Sequence, residues 1–416
     1  MRIVWKDSIE KLLQIFRLKT VTYGTASAPF LATRIVQQLA NDEKNNYPTA
    51  AKVIKKDFYM DDLLTGTNSL QDAKLLQDDL ISICSKGGFK LRKWASNNTE
   101  LVNHLPVQDT ENKGHFSTDQ STKTLGLLWK SNSDMFHYSI GKQEEQYVVT
   151  KRNVLSDLSQ IFDPLGLIAP VILQGKVFMQ SLWQLNIGWD EPLPIEKQKF
   201  WQVFKENLIH LNHIQVQRKV FGAESSCDIQ IHGFSDASEL AYGATIYIRQ
   251  VDSNGHVHTR LLCSKSRVAP VNKISLPRLE LCAALLLARL VSKVVSILNI
   301  VYSLCTLWSD STIVLSWINA SPSHWKTFVG NRVSEIQALH THCNWRHVRS
   351  FDNPADTVSR GASPVEFKNN DLWWYGPNWL HLKSSSWPAL QDNSPEEIQE
   401  ECKIIVTYIQ LQMNLY

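Results

Sequence analysis

The sequence has little cysteine and almost no net charge. Its seven cysteines are scattered over 416 residues without a Cys-x-x-Cys pair. An odd number of isolated cysteines does not indicate a disulfide framework, so we expect free thiols in a reducing compartment, the cytoplasm or the nucleus. The net charge of +3 excludes a global positive field. A surface that binds nucleic acid would therefore be a local patch.

Signals for secretion and for membrane insertion are also lacking. The N-terminal segment is charged from Arg2 onward and has no apolar core of the kind a signal peptide needs. The longest apolar stretch, 281–298, is interrupted by Arg289, Ser292 and Lys293, which indicates a buried amphipathic helix rather than a membrane span. We therefore expect no membrane partner, and the length allows two or three domains.

Four acidic residues in the second half of the chain each stand at the end of a predicted strand or early in a predicted helix. Asp236 ends a strand in which Ile229 and Ile231 alternate with polar residues, and Asp310 follows an apolar strand at 303–308. Glu280 and Asp356 lie in the first turns of helices. Taken singly, each acid also fits a solvated strand end or a helix-dipole role.

Together, the four acids predict a metal site. The predicted element order is three strands, a helix, a strand, two helices, a strand and a helix. In such a mixed α/β layer, strand ends and helix starts can meet at one edge of the sheet. Four carboxylates at that edge would suit two Mg²⁺ (or Mn²⁺) ions, which promote phosphodiester hydrolysis.

A second pair of acids lies in the first half of the chain. Asp61 and Asp62 follow Tyr59 and Met60 at a tight turn after a predicted strand at 54–58. Adjacent carboxylates repel each other unless a cation lies between them. An exposed turn is the alternative interpretation.

Motifs in the first half resemble the palm of a reverse transcriptase. The resemblance rests on YMDD (59–62), TYGTASAPFLA (22–32), GGFKLRKWASN (87–97) and LGLLWK (125–130). It implies that Asp61 and Asp62 are a remnant of the polymerase motif. A polymerase needs a further metal-binding Asp from an earlier strand and the fingers that hold the nucleotide, and we expect the chain to start too late to contain them. We therefore do not expect DNA synthesis by this chain alone.

Motifs in the second half resemble a retroelement ribonuclease H. They are FSDAS, LPRLEL, WSDS and NPADTVSRG, in that order, and the preceding helical stretch resembles BEL/Pao-type retrotransposon polyproteins. The resemblance implies Mg²⁺-dependent cleavage of RNA in an RNA–DNA hybrid. Its implied catalytic residues and metal ligands are Asp236, Glu280, Asp310 and Asp356. Asn353 and His347 are implied to orient the phosphate or the attacking water.

The expected fold is α/β (α+β), with a mixed five-stranded sheet and flanking helices in the ribonuclease H-like part. We predict a truncated palm at 1–130, a helical connector at 131–225, the ribonuclease H-like domain at 226–362 and a linker toward an integrase region at 363–416. Other parts of the polyprotein are expected partners.

Substrate contacts are predicted in a basic and aromatic patch after the second helix of the ribonuclease H-like part. It comprises Trp325, Lys326, Asn331 and Arg332, cations for phosphate and an aromatic ring for sugar or base. A structural tryptophan beside solvated cations is the alternative. A zinc site at His340, His342, Cys343 and His347 is a further alternative, although this spacing matches no standard zinc finger.

Two other functions stay open. One is an inactive remnant that binds nucleic acid without cutting it. The other is an aspartic peptidase, a label that the BEL/Pao-type region has also carried. Such a peptidase needs two Asp-Ser/Thr-Gly loops, and the nearest strings, at 235–238 and 309–312, both lack the glycine.

Overall fold

The chain divides into two compact units, Met1–Phe136 and His137–Tyr416. The structure, a computed structural model, describes residues 2–22, 24–110, 122–124, 127–141, 148–220, 228–300, 305–339, 343–389 and 401–402. Each unit is described by itself below.

The described residues of the first unit form three α-helices and several short strands. Its elements are β1 Arg2–Trp5, β2 Gln14–Arg17, α1 Ala28–Asp42, α2 Pro48–Asp57, β3 Phe58–Tyr59, β4 Asp62–Leu63, α3 Leu70–Lys86, β5 Thr122–Thr124, β6 Leu127–Lys130 and β7 Met135–His137, the last of which ends in the second unit. The three helices pack around a small core that includes Ala40, Ile54 and Leu80.

The predicted strand at 54–58 is wrong, because these residues belong mainly to α2. Pro48 occupies the first turn of this helix, where its missing N–H costs nothing. Ala50, Ala51 and Ile54 are all buried, and their spacing of one, three and four residues places them on one helical face. The extended backbone begins only at Phe58.

The second unit contains the main sheet and most of the helices. Its elements are α4 Lys151–Ser159, α5 Ala169–Trp183, α6 Ile195–Asn207, β8 Gln215–Gln217, β9 Asp228–Ala237, β10 Ala241–Val251, β11 Val257–Val268, α7 Leu276–Leu298, β12 Cys305–Ser309, α8 Thr312–Asn319, α9 Thr327–Leu339, β13 Asn344–His347, α10 Ala355–Arg360 and α11 Asp371–Tyr375.

The main sheet has five strands in the order β11–β10–β9–β12–β13. β10 is antiparallel to both of its neighbours, whereas β12 is parallel to β9 and to β13. The predicted mixed five-stranded sheet is therefore confirmed, and so is the order of its elements along the chain. Because β9, β12 and β13 run in one direction, their carboxyl ends lie at the same edge of the sheet.

The apolar helix α7 covers one face of this sheet. Ile231, Ile246 and Leu307 alternate toward it and form a buried cluster with Leu287 and neighbouring residues of α7. α7 is long and apolar enough to cross a membrane, but 56% of its most apolar stretch is buried within the protein. α7 is therefore a core helix of a layered fold, in agreement with the buried amphipathic helix predicted from the sequence.

The opposite face is covered by the connector helices and by the segment after α10. Phe234, Tyr247 and Trp308 point to this side and join a large cluster with Trp201 of α6 and Trp373 of α11. The indole N–H of Trp373 donates to the carbonyl of Leu167 at 2.9 Å. The predicted connector and the described part of the predicted linker thus pack against the sheet within one compact unit.

Candidate carboxylate site

Two of the predicted acids stand at the carboxyl ends of adjacent parallel strands. Ser235 of β9 and Ser309 of β12 are paired in register, and Asp236 and Asp310 each follow directly in the chain. Asp236 is 6% exposed, and Asp310 is half-buried. The parallel pairing therefore brings these two carboxylates to the same edge of the sheet, as the sequence predicted.

Glu280 approaches from α7. It lies in the second turn of this helix and is half-buried. It accepts a hydrogen bond from the side chain of Ser311, the residue directly after Asp310. Ser311 is also the N-cap of α8, where its side chain accepts from the backbone N–H of Val314. One serine thus links the acid of α7 to the end of β12.

Asp356 approaches from α10, which is held against the end of β9. The Nδ2 atom of Asn353 donates to the carbonyl of Ser235 at 3.1 Å, and the hydroxyl of Ser359 donates to Oδ2 of Asp236. The carboxylate of Asp356 itself accepts a hydrogen bond from Nε of Arg360. Ser311, Ser359 and Arg360 were not among the predicted site residues. They stand within the WSDS and NPADTVSRG motifs that predicted the acids.

The negative charges of the other three acids all act on the carboxyl group of Asp236. Burial, followed by the negative charge of Asp310, raises the pKa of Asp236 to about 7. The charges of Asp356 and Glu280 act in the same direction, while the hydrogen bond from Ser359 opposes them. Burial and the charge of Asp310 also raise the pKa of Glu280. Clustered carboxylates with raised pKa values are typical of sites that bind a cation or do acid–base chemistry.

The donor set fits a hard divalent cation in its chemistry. All four side chains offer carboxylate oxygens on rigid elements, which are the ligands that Mg²⁺ prefers. Among the described residues, however, no three Asp, Glu, His or Cys side chains stand at the spacing that holds a metal ion. Asp236, Glu280 and Asp356 instead accept hydrogen bonds from Ser359, Ser311 and Arg360.

His347 and Asn353 occupy different positions relative to this site. His347 ends β13, pairs in register with Ser309 and is half-buried, so it lies at the same edge as the acids. Asn353 is completely buried. Its amide is used within the protein, by the carbonyl of Ser235 and by the backbone N–H of Ala355. It holds the start of α10 in place and does not offer a surface to a substrate.

The predicted substrate patch is only partly at the surface. Trp325 is 2% exposed, and its indole N–H donates to the carbonyl of Trp317. It is therefore a core residue, as the alternative interpretation held, and not a substrate contact. Lys326 and Asn331 are exposed, and Asn331 and Arg332 line a cavity of about 260 Å³ between α7 and α9. The surface part of the patch thus remains a candidate contact.

The zinc alternative falls partly outside the described residues, because His340 and His342 lie there. Cys343 and His347 belong to no metal-binding group of three among the residues described.

The paired aspartates of the first unit form a separate feature. Tyr59 pairs with Asp62 across a two-residue turn of Met60 and Asp61, and Met60 has a φ of 56°. Both aspartates are exposed. In the part of the chain that the structure describes, no third acid joins them in a metal-binding group.

Comparison with known protein families identifies part of the chain. Residues 150–311 match the family described as Pao retrotransposon-like RNaseH-like domain. This part of the chain is therefore similar to that family. The match begins in the connector, one residue before α4, and ends directly after Asp310, so it includes three of the four acids. This agrees with the predicted retrotransposon origin.

Solved structures with some similarity to the chain include two ribonucleases H. One is the N-terminal RNase H domain of rv2228c from Mycobacterium tuberculosis, fused to maltose-binding protein, with 10% identity, a TM-score of 0.22 and coverage of 32% of this chain and 94% of that one. The other is RNase H1 from Halobacterium salinarum NRC-1, with 12% identity, a TM-score of 0.21 and coverage of 34% and 98%.

A third solved structure with similarity spans both units. It is a foamy viral protease-reverse transcriptase in complex with an RNA/DNA hybrid, with 13% identity and a TM-score of 0.44. The match covers 79% of this chain but only 39% of the viral one. None of the curated proteins matches the chain in sequence.

Proposed function

We propose that the RNaseH-like domain hydrolyses the RNA strand of RNA–DNA hybrids in a reaction that depends on Mg²⁺ or Mn²⁺. The observation that carries this proposal is the in-register parallel pairing of Ser235 with Ser309, which brings the carboxylates of Asp236 and Asp310 to one edge of the sheet. The charges of Asp310, Asp356 and Glu280 also raise the pKa of Asp236. Four carboxylates held on strands and helices of one sheet edge repel one another, and a divalent cation relieves that repulsion. A bound pair of such ions would supply an activated water and stabilise the leaving oxygen.

The residues of the chain have separate tasks in this proposal. Asp236 and Asp310 are fixed by the parallel strands, whereas Glu280 and Asp356 reach the same edge from α7 and α10. To coordinate a cation, Asp236, Glu280 and Asp356 would exchange their hydrogen bonds from Ser359, Ser311 and Arg360 for metal contacts. His347, at the end of β13, would contact the phosphate or the water beside the acids.

The test is cleavage of a labelled RNA–DNA hybrid by the purified full chain. We expect RNA cleavage with Mg²⁺, none with a chelator, and no cleavage of a DNA duplex. Asp310→Asn removes a ligand charge and should lower the rate at least about 100-fold, since even indirect partners of metal ligands cost 10- to 100-fold. Asp371→Asn changes an exposed acid of α11 and should leave the rate unchanged.

Equal cleavage rates of the wild type and Asp310→Asn would mean that the activity comes from a contaminating nuclease. Hybrid binding without cleavage would favour an inactive nucleic-acid-binding remnant. Self-processing that a pepstatin-type inhibitor stops would favour the aspartic-peptidase alternative. The absence of glycine from the loops after Asp236 and Asp310 argues against that alternative, because this glycine shapes the peptidase loop. DNA synthesis is not expected from the exposed pair Asp61 and Asp62, in keeping with the sequence.

A further inference from the structure

The side chain of Arg278 is engaged by a glutamate from the end of the chain. Arg278 lies two residues before Glu280 on α7, and its Nη2 and Nε atoms lie 2.7 Å and 2.8 Å from Oε1 of Glu401. The backbone N–H of Lys326 donates to the carbonyl of Glu401 at 2.8 Å. Trp325 forms an antiparallel bridge with Cys402. The pair 401–402 is thus docked on the turn that leads into α9.

The surface beneath this contact is cationic and aromatic. The guanidinium of Arg278 lies 4.9 Å from the ring centre of Phe328, and that of Arg332 lies 3.5 Å from it. Lys326, two residues before Phe328, is exposed. Two guanidinium groups over one ring, with a lysine two residues away along the chain, are a combination that suits the backbone of a nucleic-acid strand. We call Arg278, Lys326 and Arg332 the cationic seat.

Glu401 satisfies the cationic seat only in part. Both nitrogens of Arg278 point to the same oxygen, whereas Oε2 of Glu401 is buried and has no hydrogen-bond partner among the described residues. Burying a charged oxygen without a hydrogen-bond partner costs free energy. The more stable arrangement of an arginine and a carboxylate is bidentate, with each of two nitrogens donating to a different oxygen. A phosphodiester group, with two non-bridging oxygens, has the charge and the acceptors to replace this carboxylate.

The sequence around Glu401 is rich in negative charge, as a nucleic-acid backbone is. Glu396, Glu397, Glu400 and Glu401 lie within six residues. A carboxylate has the same sign of charge as a phosphate, so it can bind the same cations.

We propose that the cationic seat binds a backbone phosphate of the nucleic-acid substrate and that Glu401 occupies it in the free protein as an internal competitor. This rests on the proposed function, because the ligand is the strand that the nuclease would cut. Arg278 and Glu280 both belong to the first turns of α7, so the seat and the carboxylate site share one element. Binding of substrate therefore requires that Glu401 leave Arg278.

The test measures binding of a labelled RNA–DNA hybrid to the full chain in a chelator, so that cleavage is not needed. Glu401→Gln should tighten binding about tenfold, within the usual range for a coupling between two ligands of one site. Arg278→Ala should weaken it, and it should reduce the salt dependence by about one phosphate contact. In the Arg278→Ala background, Glu401→Gln should add little.

The matched control is Asp190→Asn. Asp190 forms a two-oxygen pair with Arg152 of α4 at 2.6 Å and 2.9 Å, and its loss should not tighten binding. A second readout is the alkylation rate of Cys402, which is partly buried against the cluster around Trp325. Saturating hybrid should increase that rate in the wild type.

Unchanged hybrid affinity in Glu401→Gln would overturn the inference, and so would a loss of thermal stability without any gain in affinity. That second result would make the contact a structural ion pair only. These binding measurements are made in a chelator and do not depend on cleavage. If Glu401→Gln tightens binding but the wild type does not cleave the hybrid with Mg²⁺, the proposed function is contradicted and the inference about the cationic seat is not.

Discussion

At the scale of single residues, His232 shows how strongly the sheet controls ionisation. This histidine of β9 is 1% exposed, and its Nδ1 accepts a hydrogen bond from the indole of Trp308 at 3.2 Å. Its Nε2 is buried and has no hydrogen-bond partner in the part of the chain that the structure describes. Burial, and then the charges of Arg249 and Arg346, lower the pKa of His232 to about 3. The folded protein therefore keeps this imidazole neutral well below its ordinary pKa.

The stability of the second unit should fall as the pH falls below the ordinary histidine pKa. Between that ordinary pKa of 6.5 and the folded pKa of about 3, the unfolded chain binds a proton at His232 that the folded chain does not. Stability from this residue is then complete above pH 6.5 and declines by about 1.4 kcal/mol per pH unit in that window.

His232→Asn tests this expectation, because asparagine offers an acceptor near the position of Nδ1 but does not titrate. From about pH 7 to about pH 5, the unfolding free energy of the wild type should fall about 2 kcal/mol more than that of the variant. Denaturant unfolding at each pH measures the difference. Parallel pH profiles would contradict the role of His232, and His324→Asn at an exposed position controls for the substitution itself.

At the scale of secondary-structure elements, the turn between α4 and α5 docks on the outer strand of the sheet. The backbone N–H of Ser264 in β11 donates to the carbonyl of Leu165 at 2.8 Å. The hydroxyl of Ser264 donates to the carbonyl of Gly166. This turn therefore satisfies polar groups of an edge strand that would otherwise be open to pairing with another chain.

Gly166 permits this approach, and its replacement should loosen the connector. It has a φ of 71°, and a Cβ atom there would lie 2.1 Å from the carbonyl oxygen of Ser264. Gly166→Ala should cost more than Gly255→Ala, where φ is 83° but no atom lies within 4 Å. The left-handed backbone alone costs about 1–2 kcal/mol in both, so the difference between their unfolding free energies isolates the clash. Equal losses would show that the turn can move away from β11.

The sequence predicts the strands and helices of the second unit well where apolar residues recur with a single period, either that of a strand or that of a helix. Alternation fixes the strands β9 to β11, and four acids at strand ends and helix starts mark the site. The apolar pattern predicted a strand at 54–58, but Ile54 belongs to the apolar face of a helix. It also could not show that Trp325 is buried or that Glu401 meets Arg278, because contacts between distant segments depend on packing that local periodicity does not encode.

At the scale of the whole second unit, one aromatic layer ties the connector, the sheet and the segment after α10 together. Phe234, Trp308 and Trp379 have ring centres within 6.2 Å of one another. The guanidinium of Arg249 donates to the carbonyls of Leu380 and Leu382. The segment predicted as a linker therefore completes the face of the sheet opposite α7, and this face has no other cover at those positions among the described residues.

Loss of the anchor of this layer should destabilise the connector and the sheet together. Trp373 is completely buried, and its backbone carbonyl accepts the hydroxyl of Tyr247 at 2.6 Å. Trp373→Ala would leave a large cavity and should lower the unfolding free energy by about 3–5 kcal/mol. Hydrogen exchange should show that protection falls equally in α5 and α7, because both pack on the same sheet. Tyr375→Ala, at a half-exposed side chain of the same helix, should have little effect. Loss of protection confined to α11 would mean that this segment is a separable addition to the fold.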